Sequence, residues 1–189
     1  DVRNMKTAIR ATKEAGAHAQ GTVVYTISPV HDIPLYVKIA KELVDLGVDS
    51  ICVKDMAGLI APYIAYELVT ELKRELSVPI HLHCHYTSGM ASMAYLKAVE
   101  AGVDIVDTAS SPLAMGTSQP PAESLVAALE GTPYDTGLDL KYLADIADYW
   151  RGVRKDYEHI ATVSTGVDTN VLSYQIPGGM ISNLSSQLE

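Results

Sequence analysis

The chain has 189 residues, 48% of them hydrophobic, which is enough for one domain with a buried core and argues against disorder. Its formal net charge of −9 at pH 7 disfavours nucleic acids and anionic membranes as partners. No apolar run approaches the roughly 20 residues of a membrane helix and no signal peptide is visible, so we expect no membrane span and a cytoplasmic location.

Helices and strands alternate regularly along the first 130 residues. A helix over residues 3–15 precedes four strand-then-helix units, spaced about 25–30 residues apart. The predicted strands are 19–26, 48–55, 78–85 and 103–109, and the helices that follow them are 34–46, 63–76, 88–101 and 120–130. This alternation indicates a parallel sheet, either doubly wound or closed into a (β/α)8 barrel. The absence of a Gly-x-Gly-x-x-Gly turn and of a Walker loop favours the barrel.

The pattern changes after residue 131. Residues 138–158 are predicted to form a long amphipathic helix, packed outside the barrel or used as an interface with a subunit or carrier domain. The stretch 173–184 is predicted to be rich in turns. We therefore divide the chain into a barrel part, residues 1–131, and a helical extension, residues 132–189.

Three histidines occupy alternate positions of the strand 78–85: His81, His83 and His85. Side chains two apart on a strand share a face, so all three imidazoles point the same way. Histidine is the commonest metal ligand, which makes this face a candidate metal site; the alternative is a polar face of hydrogen-bonded histidines. His81 lies deeper, and we expect it to be a core or supporting residue rather than a direct ligand.

Polar residues fall at the C-terminal ends of successive strands, the rim at which barrel enzymes keep their active sites. Lys54 ends the strand before the histidines and can converge with His83 and His85 at the mouth. As a neutral amine or as a carbamate, it would help them hold zinc, cobalt or manganese in an open site that polarises a carbonyl. The alternative is a rim salt bridge from Lys54 to Asp55 or Asp107.

Three segments resemble the carboxyltransferase domain of biotin-dependent enzymes: Val53-Lys-Asp-Met-Ala-Gly-Leu59, Leu82-His-Cys-His-Tyr-Thr-Ser-Gly89 and Gly102-Val-Asp-Ile-Val-Asp-Thr-Ala109. The family includes the oxaloacetate decarboxylase α subunit, the pyruvate carboxylase carboxyltransferase subunit and the pyruvate-handling subunit of transcarboxylase. Pro177-Gly-Gly-Met-Ile-Ser-Asn-Leu184 resembles its segment after the barrel. Metal-dependent acyl-CoA lyases and condensing enzymes share the His-x-His motif and are the alternative, although the lysine before Asp-Met-Ala-Gly separates the two branches.

The resemblance implies a (β/α)8 TIM barrel, of which this chain is the second half, about four βα units, followed by post-barrel helices. It implies that carbamylated Lys54, His83 and His85 bind a divalent metal and that Met56 and Tyr25 lie near the pyruvate or oxaloacetate site. It also implies that a carboxyl group moves between carboxybiotin and pyruvate through a metal-stabilised enolate, as in the oxaloacetate decarboxylase α subunit.

The resemblance further implies partners. Biotin would be carried on a separate domain or subunit, and other carboxylase or decarboxylase subunits would provide any association with a membrane. In the family, the first four strands, a metal-binding aspartate, a substrate-binding arginine and a proton-shuttling threonine lie outside the segment that this chain resembles. We therefore expect the chain to be inactive alone and, because a half barrel leaves two strand edges open, to form a homo-oligomer or pair with a missing half. A non-catalytic fragment is the third hypothesis.

Overall fold

The computed structural model describes residues 2–158 and 166–188. Its four strands form one parallel sheet in the order β1-β2-β3-β4. The strands are β1 Gln20–Val24, β2 Ser50–Asp55, β3 Ile80–Cys84 and β4 Ile105–Val106. The helices are α1 Lys6–Glu14, α2 Ile33–Asp45, α3 Pro62–Glu75, α4 Ala91–Glu100, α5 Ala122–Leu129, α6 Leu140–Asp156, α7 Val171–Tyr174 and α8 Gly178–Leu188.

A side-chain cap begins one of the helices between the strands, and glycines end two of them. The carboxylate of Asp32 accepts a hydrogen bond of 2.9 Å from the Leu35 amide and so caps the start of α2. The glycines that follow α2 and α4, Gly47 and Gly102, have φ angles of +96° and +88°. Each helix therefore stops at a residue that tolerates left-handed backbone, and the chain turns into the next strand.

The hydrophobic core lies between one face of the sheet and the helices α2, α3 and α4. Its fully buried side chains include Leu43, Ile51, Leu68, Leu72, Ile80, Leu82 and Tyr95. Burying one such aliphatic side chain contributes roughly 1.5–3 kcal/mol. The opposite face of the sheet is open, because Val24 on β1 and Ile105 on β4 are 47% and 45% exposed.

Tyr95 provides a hydrogen bond inside this core, because its hydroxyl accepts the Cys84 amide at 2.9 Å. We expect Tyr95→Phe to lower the free energy of unfolding by about 1–3 kcal/mol, since it leaves a buried amide without an acceptor. Urea unfolding measures the loss. Tyr142→Phe, on an exposed tyrosine of α6, is the control, and an equal loss in both variants would contradict this account.

Several predictions about individual elements are wrong. The region predicted as the strand 103–109 has only two strand residues, because Ala109 exchanges backbone hydrogen bonds with Pro120 and Ala122 instead of β3. The predicted helix 3–15 opens with a 3-10 turn over Val2–Met5. Residues 178–184, part of the stretch predicted to be rich in turns, lie in α8, and the Pro177 carbonyl accepts the Met180 and Ile181 amides at the start of this helix.

The helix predicted over residues 138–158 is present as α6, and it contacts α5 and the 3-10 turn Ser111–Leu113. Of the residues predicted to form an apolar stripe along this helix, Ala147 is buried, while Trp150 and Tyr157 are 37% and 56% exposed. The predicted apolar stripe is thus only partly covered. Its use as an interface, like the division at residue 131, stays a prediction. None of the helices in the described ranges has the length and apolar character needed to cross a membrane.

Candidate functional site

Neighbouring strands bring Lys54 and the histidines to one face of the sheet. In the register of β2 and β3, Lys54 lies opposite His83, and Cys52 lies opposite His81. Residues opposite each other in adjacent parallel strands point to the same face. The lysine and the imidazoles therefore share the open face, away from the helices, and Lys54 and His83 lie side by side at the C-terminal rim.

His83 and His85 form a pair of imidazoles with ring centroids 5.1 Å apart, arranged edge to face. His83 Nδ1 lies 2.6 Å from Asp107 Oδ2, and His85 Nδ1 lies 2.5 Å from the carbonyl oxygen of Thr117. Carbonyl and carboxylate oxygens only accept hydrogen bonds, so in the neutral rings both Nδ1 atoms carry the proton and both Nε2 atoms keep a lone pair. Metal-binding histidines are held in this way in proteins.

The surroundings of His85 favour its neutral form. Burial lowers the pKa of His85, and the electrostatic influence of His83 and Lys54 acts in the same direction. The hydrogen bond to the Thr117 carbonyl opposes this effect without cancelling it. At neutral pH the imidazole thus keeps the lone pair that a ligand needs.

The predicted alternative for Lys54, a salt bridge with Asp55 or Asp107, is wrong. Among the described residues, no carboxylate lies within 4.0 Å of the Lys54 ammonium. Asp55 binds backbone amides of its own loop, and Asp107 contacts imidazoles. Lys54, which is half-buried, therefore reaches the rim without a paired carboxylate.

The donor atoms on this face fit part of a metal site. The two Nε2 atoms would supply two nitrogen ligands, and Lys54 lies on the adjacent strand. Within residues 2–158 and 166–188, no group of three or more His, Cys, Asp or Glu side chains is arranged to hold a metal ion. The roles of Lys54, His83 and His85 as ligands therefore stay predictions, and further ligands would have to complete the set.

A buried carboxylate organises the loop between Lys54 and α3. Asp55 is fully buried and accepts four backbone hydrogen bonds of 2.6–3.2 Å, from residues 57, 58, 59 and 60. Burial raises the pKa of Asp55, and the amide of Ile60 and the thiol of Cys84 partly oppose that shift by hydrogen bonding. The sequence indicated Asp55 only as a partner for Lys54. Its position directly before a glycine-containing loop is the one signal for this capping role.

The next loop along the rim is tied to this one. The hydroxyl of Ser88 donates to the carbonyl of Gly58, and the His85 amide donates to the carbonyl of Asp55 at 3.0 Å. The conformation of the Asp55 loop therefore fixes the backbone at His85.

The predicted substrate-binding residues lie in different surroundings. Met56 belongs to the rim loop, and its carbonyl accepts the Gly178 amide at 2.8 Å. Tyr25 is buried in the core, where its ring stacks on Tyr36 of α2 with centroids 5.4 Å apart. Tyr25 is joined to Lys54 through the backbone, where its amide donates to the Lys54 carbonyl at 2.9 Å. The contact of Met56 and Tyr25 with substrate stays a prediction.

The segment 166–178 crosses the rim and joins its loops, which sequence reasoning missed. The Asp168 amide donates to the Thr87 carbonyl at 2.9 Å. The Gln175 side chain exchanges three hydrogen bonds of 2.9–3.0 Å with Thr26 and Ile27. The Pro-Gly-Gly sequence was the available signal, because Gly178 is buried against the rim and a Cβ there would lie 3.1 Å from His85 Nδ1.

Comparisons with known proteins agree with this architecture. The family model described as HMGL-like matches residues 2–149. Over 190 aligned residues the chain is 60% identical to a pyruvate carboxylase subunit of Methanocaldococcus jannaschii and 48% identical to the methylmalonyl-CoA carboxyltransferase 5S subunit of Propionibacterium freudenreichii. Both alignments cover 100% of this chain, but 34% and 37% of the relatives. The chain thus spans about a third of the length of the curated relatives that it matches.

The fold is also that of a known structure. The carboxyl transferase domain from Rhizobium etli pyruvate carboxylase superposes with a TM-score of 0.96 and 38% identity, over 99% of this chain and 32% of that one. The predicted α/β fold, with this chain matching part of a carboxyltransferase TIM barrel, is confirmed.

Proposed function

The chain belongs to the HMGL-like family, and we propose that its rim works in a biotin-dependent carboxyltransferase that moves a carboxyl group between biotin and pyruvate or oxaloacetate. The observation that carries this proposal is the pair of rim imidazoles, each with Nδ1 bonded to an oxygen and Nε2 unprotonated, beside Lys54. The identity of 60% to a pyruvate carboxylase subunit along the whole chain supports the substrate class.

The chain's own residues would hold a divalent metal ion. His83 and His85 would contribute Nε2 atoms, and Lys54, once its neutral amine has added carbon dioxide and lost a proton, would contribute a carbamate oxygen. When bound, the ion supplies a Lewis acid that polarises the carbonyl of the 2-oxo acid. Burial of His85 keeps its ring neutral, and the hydrogen bonds at both Nδ1 atoms fix the orientation of the rings.

The proposal also includes two protein parts outside the residues of this chain. A biotin carrier domain would bring carboxybiotin to the open face, and a further barrel half would cover the exposed strands β1 and β4. Oxaloacetate decarboxylation and pyruvate carboxylation are the two directions of the same transfer, and both fall within the proposal.

A chimera tests this function. In it, the chain replaces the segment that it aligns with in the M. jannaschii subunit. We expect the chimera to decarboxylate oxaloacetate in the presence of biotin and to contain a divalent metal. His83→Ala combined with His85→Ala should lower the rate at least about 100-fold and abolish metal binding, because both nitrogen ligands are lost.

Asp148→Ala, on the exposed surface of α6, is the control and should leave rate and metal content unchanged. Acyl-CoA cleavage in place of oxaloacetate decarboxylation would contradict the proposal and favour the lyase branch of the family. Full activity in the double histidine variant would contradict the assignment of the site.

A further inference from the structure

Asp107 connects two of the histidines through its single carboxylate. It follows β4, and its Oδ2 lies 2.6 Å from His83 Nδ1 while its Oδ1 lies 2.9 Å from His81 Nε2. The two imidazoles are two residues apart on β3, so a carboxylate from the adjacent strand spans the gap between them.

The contact with His83 selects one form of that ring. A carboxylate only accepts hydrogen bonds, so the neutral His83 ring must carry its proton on Nδ1. Nε2 is then unprotonated, and the amide nitrogen of Gln119, a hydrogen-bond donor, lies 3.5 Å from it. Both neighbours of the ring therefore favour the same tautomer.

The contact with His81, which lies deeper on the same face of β3, holds the carboxylate in place. The side-chain amide nitrogen of Gln20 lies 3.2 Å from His81 Nδ1 and 3.1 Å from Ser50 Oγ. With Nδ1 accepting from Gln20, His81 carries its proton on Nε2, the atom that faces Asp107. The pair lacks the geometry of a hydrogen bond, so the contact is a close electrostatic one. Oδ1 thus lies beside His81 while Oδ2 faces His83.

We propose that Asp107 is the positioning residue of the rim: its carboxylate selects the Nδ1-protonated tautomer of His83 and thereby leaves Nε2 available as a metal ligand. The use of that nitrogen as a ligand rests on the proposed function, whereas the selection of the tautomer does not. Gln20 and His81 support Asp107 from the deeper part of the same face.

Nitrogen-15 NMR of the histidine rings in the metal-free chain tests this selection directly. At alkaline pH, where imidazoles are uncharged, we expect His83 to show Nδ1–H and an unprotonated Nε2 in the unchanged chain. Asp107→Ala should populate the Nε2–H tautomer, because the acceptor at Nδ1 is gone. Asp107→Asn keeps the size of the side chain and offers an amide donor there, so it should shift the tautomer in the same direction.

Zinc titration of the same samples gives the second measurement. We expect the affinity to fall about 10- to 100-fold in both Asp107 variants and to stay unchanged in Asp148→Ala. If the unchanged chain binds no zinc but the tautomer shifts, the positioning role stands and the metal part of the proposed function fails. If His83 keeps its Nδ1–H tautomer in a folded Asp107 variant, the positioning role is overturned, whatever zinc does.

Discussion

Gly58→Ala is expected to lower the free energy of unfolding by about 3 kcal/mol or more, one of the largest losses from a single methyl group in this chain. Gly58 has a φ of +74°, and a Cβ there would lie 2.5 Å from the carbonyl oxygen of His85. The atom that the Cβ would meet belongs to the backbone of His85, so no flexible side chain can move aside. The loop cannot retreat either, because Ser88 donates to the Gly58 carbonyl and Asp55 accepts the Gly58 amide.

Gly16→Ala separates the two causes of this loss. Gly16 has nearly the same φ, +73°, but has nothing within 4 Å of the added Cβ. We expect it to lose only about 1–2 kcal/mol, the cost of left-handed backbone for a residue with a Cβ. Urea unfolding of both variants measures the difference, which is the cost of displacing the backbone at His85. Equal losses would show that this close approach contributes nothing.

The spacing of apolar residues and glycines along the sequence predicted where the strands lie and where the helices between them end. Buried parallel strands are short apolar runs, and the recurring glycines Gly47 and Gly102 marked where helices stop, so the positions of four strands along the chain were found. Alternation along β3 likewise placed His81 and His83 on one face of that strand. These inferences need only a repeat of two or of 3.6 residues.

The hydrogen-bond partners of the site depended on the register between strands, which local pattern does not contain. Asp107 reaches His83 only because β4 pairs with β3 in the observed register. Thr117 reaches His85 from a loop 32 residues away. The burial of Tyr25 could not be predicted from the sequence either. Tyr25 follows β1, and its burial against Tyr36 depends on how α2 packs on the sheet.

Groups within the described part of this chain thus orient the two imidazoles. Asp107 and Thr117 hold the Nδ1 atoms, and the tied loops at Asp55 and Ser88 hold the backbone that carries His85. A ligand pair whose rotamers are fixed before the metal arrives binds with less loss of side-chain entropy. A partner that completed the site would therefore need to add ligands, without having to order these two rings.

Asp55→Ala is expected to lower the free energy of unfolding by more than about 4 kcal/mol, since it leaves four loop amides without their acceptor in a fully buried environment. Water cannot replace the carboxylate easily, because the surrounding residues are buried: Ala57 is 4% exposed and Ile60 is 1% exposed. Released from Asp55, the loop would also lose its hold on His85, so we expect zinc affinity to fall in whatever fraction of the variant still folds.

Asp135→Ala is the matched control, because Asp135 also accepts two backbone amides of its own loop, from Gly131 and Gly137, but is exposed. Water can take over those hydrogen bonds, so we expect a loss below about 1 kcal/mol. Asp55→Asn, which keeps one acceptor oxygen and removes the charge, should fall between the two. Denaturant unfolding ranks the three variants. If Asp55→Ala costs no more than Asp135→Ala, burial does not set the strength of these bonds, and the Asp55 loop does not hold the rim.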